Sequence, residues 1–286
     1  IIASAQNLTI MADDIKTMKL YHQVDRVFNE LSALGIGDAD PLDVKVLCNF
    51  DQYHYLGTDA VDEAVRILGI GPTMNVLEVG GGIGGPSRHL AHASGCTMTA
   101  LELQPDLNDV ATRLTRRCAL GSRVTHVCGD ILKGSPGGHQ YDALVSWLTF
   151  LHIPDRPTLY ARCHEAMKPG ARLYVEDYFQ KQPLSPDEQR KLSRDVYCDR
   201  VPTLAEYNQE LQDAGFTDIE LIDMSAPWTE FVRDRFRGFN SARARNLALH
   251  GSEMVEGLGQ FYETIVDLFS AGNLGGIRFT ARKPAA

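Results

Sequence analysis

The chain has 286 residues, 44% of them hydrophobic, with 28 basic against 37 acidic side chains and a formal net charge of -9. Length and composition allow one large domain with an attached cap, and the acidic balance speaks against a nucleic-acid surface, which needs a basic face. The six cysteines show neither C-x-x-C pairs nor zinc spacing, and no apolar run reaches membrane-spanning length, so a cytoplasmic protein with reduced thiols and no metal site is expected.

Residues 1–10 precede Met11-Ala-Asp-Asp, which reads as a natural start, so the first ten read as added or upstream sequence. Leu20, Val24, Val27, Phe28 and Leu31 keep helical spacing and predict a helix ending before Gly35-Ile36-Gly37. A loop through Pro41 leads to Asn49-Phe-Asp-Gln-Tyr-His-Tyr-Leu-Gly57, a run of hydrogen-bonding and aromatic side chains that suits an active-site lid and a buried brace equally. Residues 11–60 are read as this N-terminal helical lid, and residues 61–286 as the main domain. Thr58 can cap a helix that runs to Leu68 and stops at Gly69.

Residues 74–91 are the stretch around which the main domain is organised. An apolar strand ending in Glu78 and Val79 enters a cluster of glycines, Gly80 to Gly85, and then opens a helix. Glycine tolerates positive φ and lets a ligand lie against the backbone. Gly80, Gly82 and Gly85 meet the dinucleotide spacing G-x-G-x-x-G, which alone fits two kinds of ligand. Glu78 shifts the balance, because it would repel a pyrophosphate but accept a cationic, amino-acid-bearing ligand such as S-adenosylmethionine.

A second strand ends in Glu102, where a carboxylate can hold a ribose diol. A helix from Asp106 and a short strand over 123–128 precede Gly129-Asp130-Ile131; Asp130 suits an adenine amino group or a simple turn cap. Residues 141–147 form a fourth strand, Pro154-Asp155 starts a helix ending at Lys168-Pro-Gly170, and residues 171–176 form a fifth. Five alternations of strand and helix predict a doubly wound α/β sheet with its ligands beyond the carboxyl ends of the strands. Glu78, Glu102, Asp130, Trp147, His152 and Asp177 lie at such ends. Helical insertions are expected over about 183–202 and 227–270, the second rich in arginine and read first as a solvated face, second as an anion site. A sixth strand over 218–224 and a last one over 275–282 complete the chain.

The order of these pieces resembles the class I S-adenosylmethionine-dependent methyltransferases over about residues 50–282. The matching residues are Leu77-Glu-Val-Gly-Gly-Gly-Ile-Gly-Gly85, Glu102, Gly129-Asp130, and Met167-Lys-Pro-Gly-Ala-Arg-Leu-Tyr-Val175. Ser146-Trp-Leu-Thr-Phe-Leu-His-Ile-Pro-Asp155, Asp177-Tyr178, residues 207–216 and the tail from Ala271 are similar to the branch of sarcosine/dimethylglycine and phosphoethanolamine N-methyltransferases. The resemblance implies a Rossmann-like seven-stranded sheet with the last strand antiparallel beside the sixth. It places Glu78, Gly80 and Gly82 on the methionine part of the cofactor, with Tyr53 beside it. Glu102 would take the ribose, and Leu103, Asp130 and Ile131 the adenine, with Ser146 and Trp147 near the sulfonium. His152 would face the methyl acceptor, with Tyr21 and Tyr55 as catalytic partners. His54, Asp177, Tyr178, Tyr197 and Arg200 would contact the acceptor.

Methyl transfer from a sulfonium needs alignment, exclusion of water and a lone pair on the acceptor. An amine acceptor requires a base or a pocket that favours its neutral form, and His152 is the first choice of base; a thioether acid would need none. The expected protein is a methyltransferase of a small amine or amino-acid-like acceptor, monomeric or homodimeric, without membrane or nucleic-acid partners. S-methylation, non-catalytic binding of S-adenosylmethionine and nicotinamide chemistry are the alternatives.

Overall fold

The computed structural model describes residues 24–138 and 140–285. Five parallel strands, β1 (Asn75–Val79), β2 (Thr97–Glu102), β3 (Val124–Cys128), β4 (Tyr141–Trp147) and β5 (Met167–Gln180), are joined by β6 (Thr217–Asp223) and β7 (Leu274–Arg282) in the order β3-β2-β1-β4-β5-β7-β6. The last strand runs antiparallel to both neighbours, β5 and β6. Strand order reverses between β1 and β4, where Leu77 pairs with Leu144 and Glu78 with Val145. At this reversal a crevice opens at the strand ends, lined by the loops after β1 and β4.

Helices cover both faces. Thr58–Leu68 and Gly85–Ser94 pack their alanines, valines and leucines on Val76, Met98 and Val145. Arg156–Ala166 and Leu204–Asp213 bury Leu159, Tyr160, Tyr207 and Leu211 against the opposite face. Local sequence sets the starts: Pro lies in the first turn of the helices at 85, 105, 156 and 186, and Ser185 and Thr203 each close a capping box with a glutamate three residues on.

Three elements differ from the sequence expectation. Residues expected as a loop after Pro41 contain a helix, Val44–Asp51, capped by Asp43 and anchored by Val44 and Leu47. The fifth strand starts at Met167 rather than 171, because Lys168-Pro-Gly170 is absorbed as a register shift opposite residues 141–143, with Gly170 at φ +80°. The long arginine-rich segment divides into Ser225–Ser241, Arg243–His250 and Ser252–Ala271, broken at Ala242 and at Gly251 with φ +82°.

The described N-terminal residues, from 24 to about 60, have their own apolar contact with the sheet and its helices. Val27, Leu31 and Leu47 pack on Ile83 of the glycine turn and on Leu107, Val110 and Leu114. Beneath them, buried Asp51 accepts from Arg88 Nη2 at 2.8 Å, and both side chains are withdrawn from solvent. Gly85 belongs to this latch: a Cβ there would stand 2.1 Å from the Asp51 carbonyl oxygen, so only glycine lets the two helices approach so closely.

Candidate active site

The glycine turn builds the first wall of the crevice. Gly80 has φ +82°, and a Cβ on it would meet Thr149 Oγ1 at 2.0 Å, so a side chain would push apart the loops after β1 and β4. The N–H groups of Gly80 and Gly81 both donate to the Leu101 carbonyl, at 2.9 and 3.0 Å. Gly82 N–H donates to Glu102 Oε2 at 2.7 Å and Gln104 N–H to Oε1 at 2.9 Å. Glu102 is therefore aimed by backbone rather than by side chains, while burial raises its pKa.

Glu78 lies at the bottom, 1% exposed, and accepts from the Ser87 hydroxyl. Burial, offset only in part by Ser87 and Arg88, pushes its carboxyl up to about 8. These groups line a cavity of about 200 Å³ that also takes in Tyr53, Leu103, Asp130, Ile131 and Trp147. Asp130 does cap a turn, its Oδ1 accepting from Leu132 N–H at 2.9 Å, and it lines the cavity as well. Ser146 is a correction: its hydroxyl donates to the Val79 carbonyl at 2.7 Å, fastening β4 to β1, and it does not line the cavity.

A second chamber of about 530 Å³ adjoins the first. Tyr53, His54, Leu148 and His152 line both, forming a seam. His152 sits in a short 3-10 turn, Phe150–His152, and its Nδ1 lies 3.2 Å from the Tyr197 carbonyl. A carbonyl can only accept, so Nδ1 carries the proton and Nε2 the lone pair. Burial lowers the imidazole to about 4, and His54, similarly buried beside the Tyr55 carbonyl, is lowered to about 4 too. Both rings are neutral at pH 7. Tyr55 is buried on the wall of the chamber, its hydroxyl paired with that of Tyr178 and its ring edge-on to Trp228 at 4.7 Å.

Three expected acceptor contacts lie elsewhere. Asp177 is fully buried outside both cavities, accepting from Tyr178 N–H at 2.7 Å; burial raises it to about 7 against the pull of Arg156. Tyr197 acts through its carbonyl rather than its ring. Arg200 is half exposed and paired with Glu206 and Glu210, because the helix that begins at Leu204 presents both glutamates to it. Tyr21 lies outside the described residues.

Several wall residues escaped the sequence reading. Arg26, Phe231 and Tyr262 line the second chamber, and Gln104 and Thr149 the first, while Arg235, one of the arginines read as a possible anion site, also lines the second. Arg235 stood in the arginine-rich segment, but spacing alone could not separate it from Arg237, which pairs with Asp234, or Arg245, which pairs with Glu30.

Comparison with known proteins agrees with this geometry. Residues 76–170 match the family model described as a methyltransferase domain. Phosphoethanolamine N-methyltransferase 3 of Arabidopsis thaliana is 30% identical over 165 residues, 57% of this chain and 33% of that protein. Among solved structures, Haemonchus contortus phosphoethanolamine N-methyltransferase 2 in complex with S-adenosyl-L-methionine has a TM-score of 0.81 at 19% identity, covering 96% of this chain and 60% of that one. A putative sarcosine dimethylglycine methyltransferase from Galdieria sulphuraria has a TM-score of 0.73 at 18% identity, covering 91% of this chain and 98% of that one. The chain spans between a third and a half of the length of the first curated relatives it matches. The match to a methyltransferase domain covers residues 76–170, and the described residues share the fold of those solved methyltransferase structures.

Proposed function

We propose that this protein transfers a methyl group from S-adenosylmethionine to a small amine or amino-acid-like acceptor. The observation that carries the reading is the seam: four side chains, Tyr53, His54, Leu148 and His152, line both cavities, so occupants of the two would meet there. The first cavity suits the cofactor because its polar groups are acidic. Glu78 would take the ammonium of the methionine part, Glu102 the ribose hydroxyls, and Asp130, with Leu103 and Ile131 about it, the adenine. Names of relatives, phosphoethanolamine and sarcosine/dimethylglycine N-methyltransferases, support an amine acceptor.

The cofactor supplies an already activated methyl group, so the protein's task is alignment and exclusion of water. An imidazole near 4 is a poor sink for a proton from an ammonium near 10: the gap of about six units corresponds to roughly 8 kcal/mol. His152 therefore lines the seam as a neutral ring beside the acceptor rather than as the sink for its proton, and burial in the chamber favours the neutral amine. The same weakness as a base favours a second reading, S-methylation of a thioether acid, which needs no proton removed.

Calorimetry with S-adenosylmethionine, followed by mass spectrometry of a panel of small amines, phospho-bases and thioether acids, tests the proposal. Cofactor binding and a product one methyl group heavier are expected. Absence of cofactor binding, or binding with every acceptor left unmodified, would overturn it.

A further inference from the structure

Five residues other than glycine have left-handed backbone among the described residues, and three of them belong to the site. Leu56 (φ +60°) lines the second chamber, Tyr197 (φ +55°) presents its carbonyl to His152, and Leu148 (φ +50°) lines both cavities. Strain of this kind persists only where the surrounding structure over-determines it, and it collects at working sites. Leucine is a poor choice for such a backbone: its Cβ crowds the following carbonyl, and its side chain offers no local hydrogen bond in return.

Leu148 is held from both sides. Its N–H donates to the Glu176 carbonyl of β5 at 2.8 Å, just past the paired residues Trp147 and Glu176. The next residue, Thr149, is pressed against Gly80, and its hydroxyl donates to the Trp147 carbonyl at 3.2 Å. The Thr149 carbonyl then takes the His152 N–H at 3.0 Å, closing the turn that carries the imidazole. The left-handed step therefore swings the chain from β4 into the turn of His152. Glycine would make the same step without strain, so the turn by itself does not call for leucine. What sets Leu148 apart is its side chain, which packs on the buried cluster of Tyr55, Leu151 and Tyr178 and is the one aliphatic group among the four at the seam.

The chemistry gives an aliphatic group a task at that point. As the acceptor's lone pair takes the methyl carbon, the C–S electron pair stays with sulfur, and the positive charge is shared between the two ends before it settles on the acceptor. A water molecule in the gap would hydrogen-bond the lone pair and would solvate the localised charge of the starting state better than the shared one. An aliphatic wall does neither, and so favours the shared charge. Tyr53, His54 and His152 can each hold a water by a hydrogen bond; Leu148 cannot.

We propose that Leu148 is a catalytic wedge at the seam: held in left-handed backbone, its side chain borders both ligands and keeps water from between the methyl donor and the acceptor's lone pair. The strain follows from placing an aliphatic side chain where the chain must turn. This inference rests on the reading of the protein as a methyltransferase and names the side chain that dries its reacting gap.

The test uses the full chain and four variants. Leu148→Ala removes the wedge and keeps the strain, Leu148→Gly removes both, and Leu148→Met restores an apolar side chain of similar volume. Ala119→Gly, at an exposed left-handed position outside both cavities, relieves strain alone. Turnover is measured with S-adenosylmethionine and the member of the amine, phospho-base and thioether-acid panel that the wild type methylates best, beside melting temperature and calorimetric cofactor affinity. We expect kcat to fall about 30-fold in both Leu148→Ala and Leu148→Gly, with cofactor affinity and acceptor KM within about threefold of the wild type, and Leu148→Met to keep most of the rate. Melting temperature should run the other way, with Leu148→Gly above Leu148→Ala, just as Ala119→Gly gains stability with its kcat unchanged. Activity that follows melting temperature instead, with Leu148→Gly faster than Leu148→Ala, would overturn the wedge and leave the methyl-transfer reading intact. So would a Leu148→Ala kcat within about threefold of the wild type, an equal loss in Leu148→Met, or a parallel loss of cofactor affinity in all three Leu148 variants. A wild type that methylates no member of the panel removes the methyl-transfer reading, and the wedge with it.

Discussion

The two cavities that meet at His152 are built by different means. The cleft at the strand ends is assembled by backbone: Gly82 and Gln104 N–H groups aim Glu102, and the Leu101 carbonyl ties down Gly80 and Gly81. The adjoining chamber is assembled by side chains from segments far apart in the chain, residues 48–59 and the helices of 225–271. Their ionisable groups are of opposite type as well. Glu78, Glu102 and Asp130 face the first, Arg26 and Arg235 the second. A backbone-built acidic cleft fixes one cationic ligand, whereas a side-chain-built chamber with cations can change its occupant by exchanging a few residues.

Substitutions on either side of the seam should therefore separate. The largest effect is expected at the seam itself: His152→Ala should lower kcat by about 100-fold while cofactor affinity stays within about twofold. Because burial keeps this imidazole neutral down to about pH 4, the pH profile of an amine substrate should show no inflection near 6.5 and should rise with pH as the acceptor loses its own proton. A wild-type inflection near 6.5 that vanishes in the variant would restore His152 as a true base. On the cleft side, Glu102→Ala should weaken S-adenosylmethionine by about 30-fold, leaving KM for the acceptor nearly unchanged, since it removes a charged hydrogen-bond acceptor and strands two N–H donors. Equal losses for both ligands would show that the cavities do not act separately.

A graded effect, read against pH rather than by substitution, belongs to Glu78. In the empty site its carboxyl is raised to about 8, so below that pH it is mostly protonated and cannot answer an ammonium. Binding should release a proton, and affinity should climb by about tenfold per pH unit up to about 8, with a buffer-dependent heat. A pH-independent affinity between 6 and 8 would remove Glu78 from the ammonium contact.

Legibility in the sequence divides along the same line. The glycine turn, Glu102 and Asp130 each sit directly after a strand of their own, so a local pattern places them at a common edge. Tyr53 and His54 were legible as a dense aromatic run, but the helix Val44–Asp51 before them was not, because its anchor, the Arg88–Asp51 pair, joins residues 37 apart in sequence. Position after a strand also misled. Asp177, expected just past its strand, lies inside it because β5 runs on to Gln180, and Ser146 precedes the end of β4; the first turns to a backbone N–H and the second to the Val79 carbonyl. Arg235 could not be singled out among its neighbours, since what distinguishes it is the company of Tyr55 and Tyr262, which only the tertiary fold supplies.

The turn at Tyr197 carries a consequence for how this sequence can drift. Its backbone is left-handed, φ +55°, and it is the carbonyl that receives the His152 proton. This hydrogen bond thus depends on the shape of the chain at that point and not on the ring of Tyr197. Asparagine or glycine, which adopt that conformation readily, would keep the imidazole tautomer intact. The position can lose its aromatic ring and keep this hydrogen bond, whereas a β-branched residue there would mis-set a histidine 45 residues away.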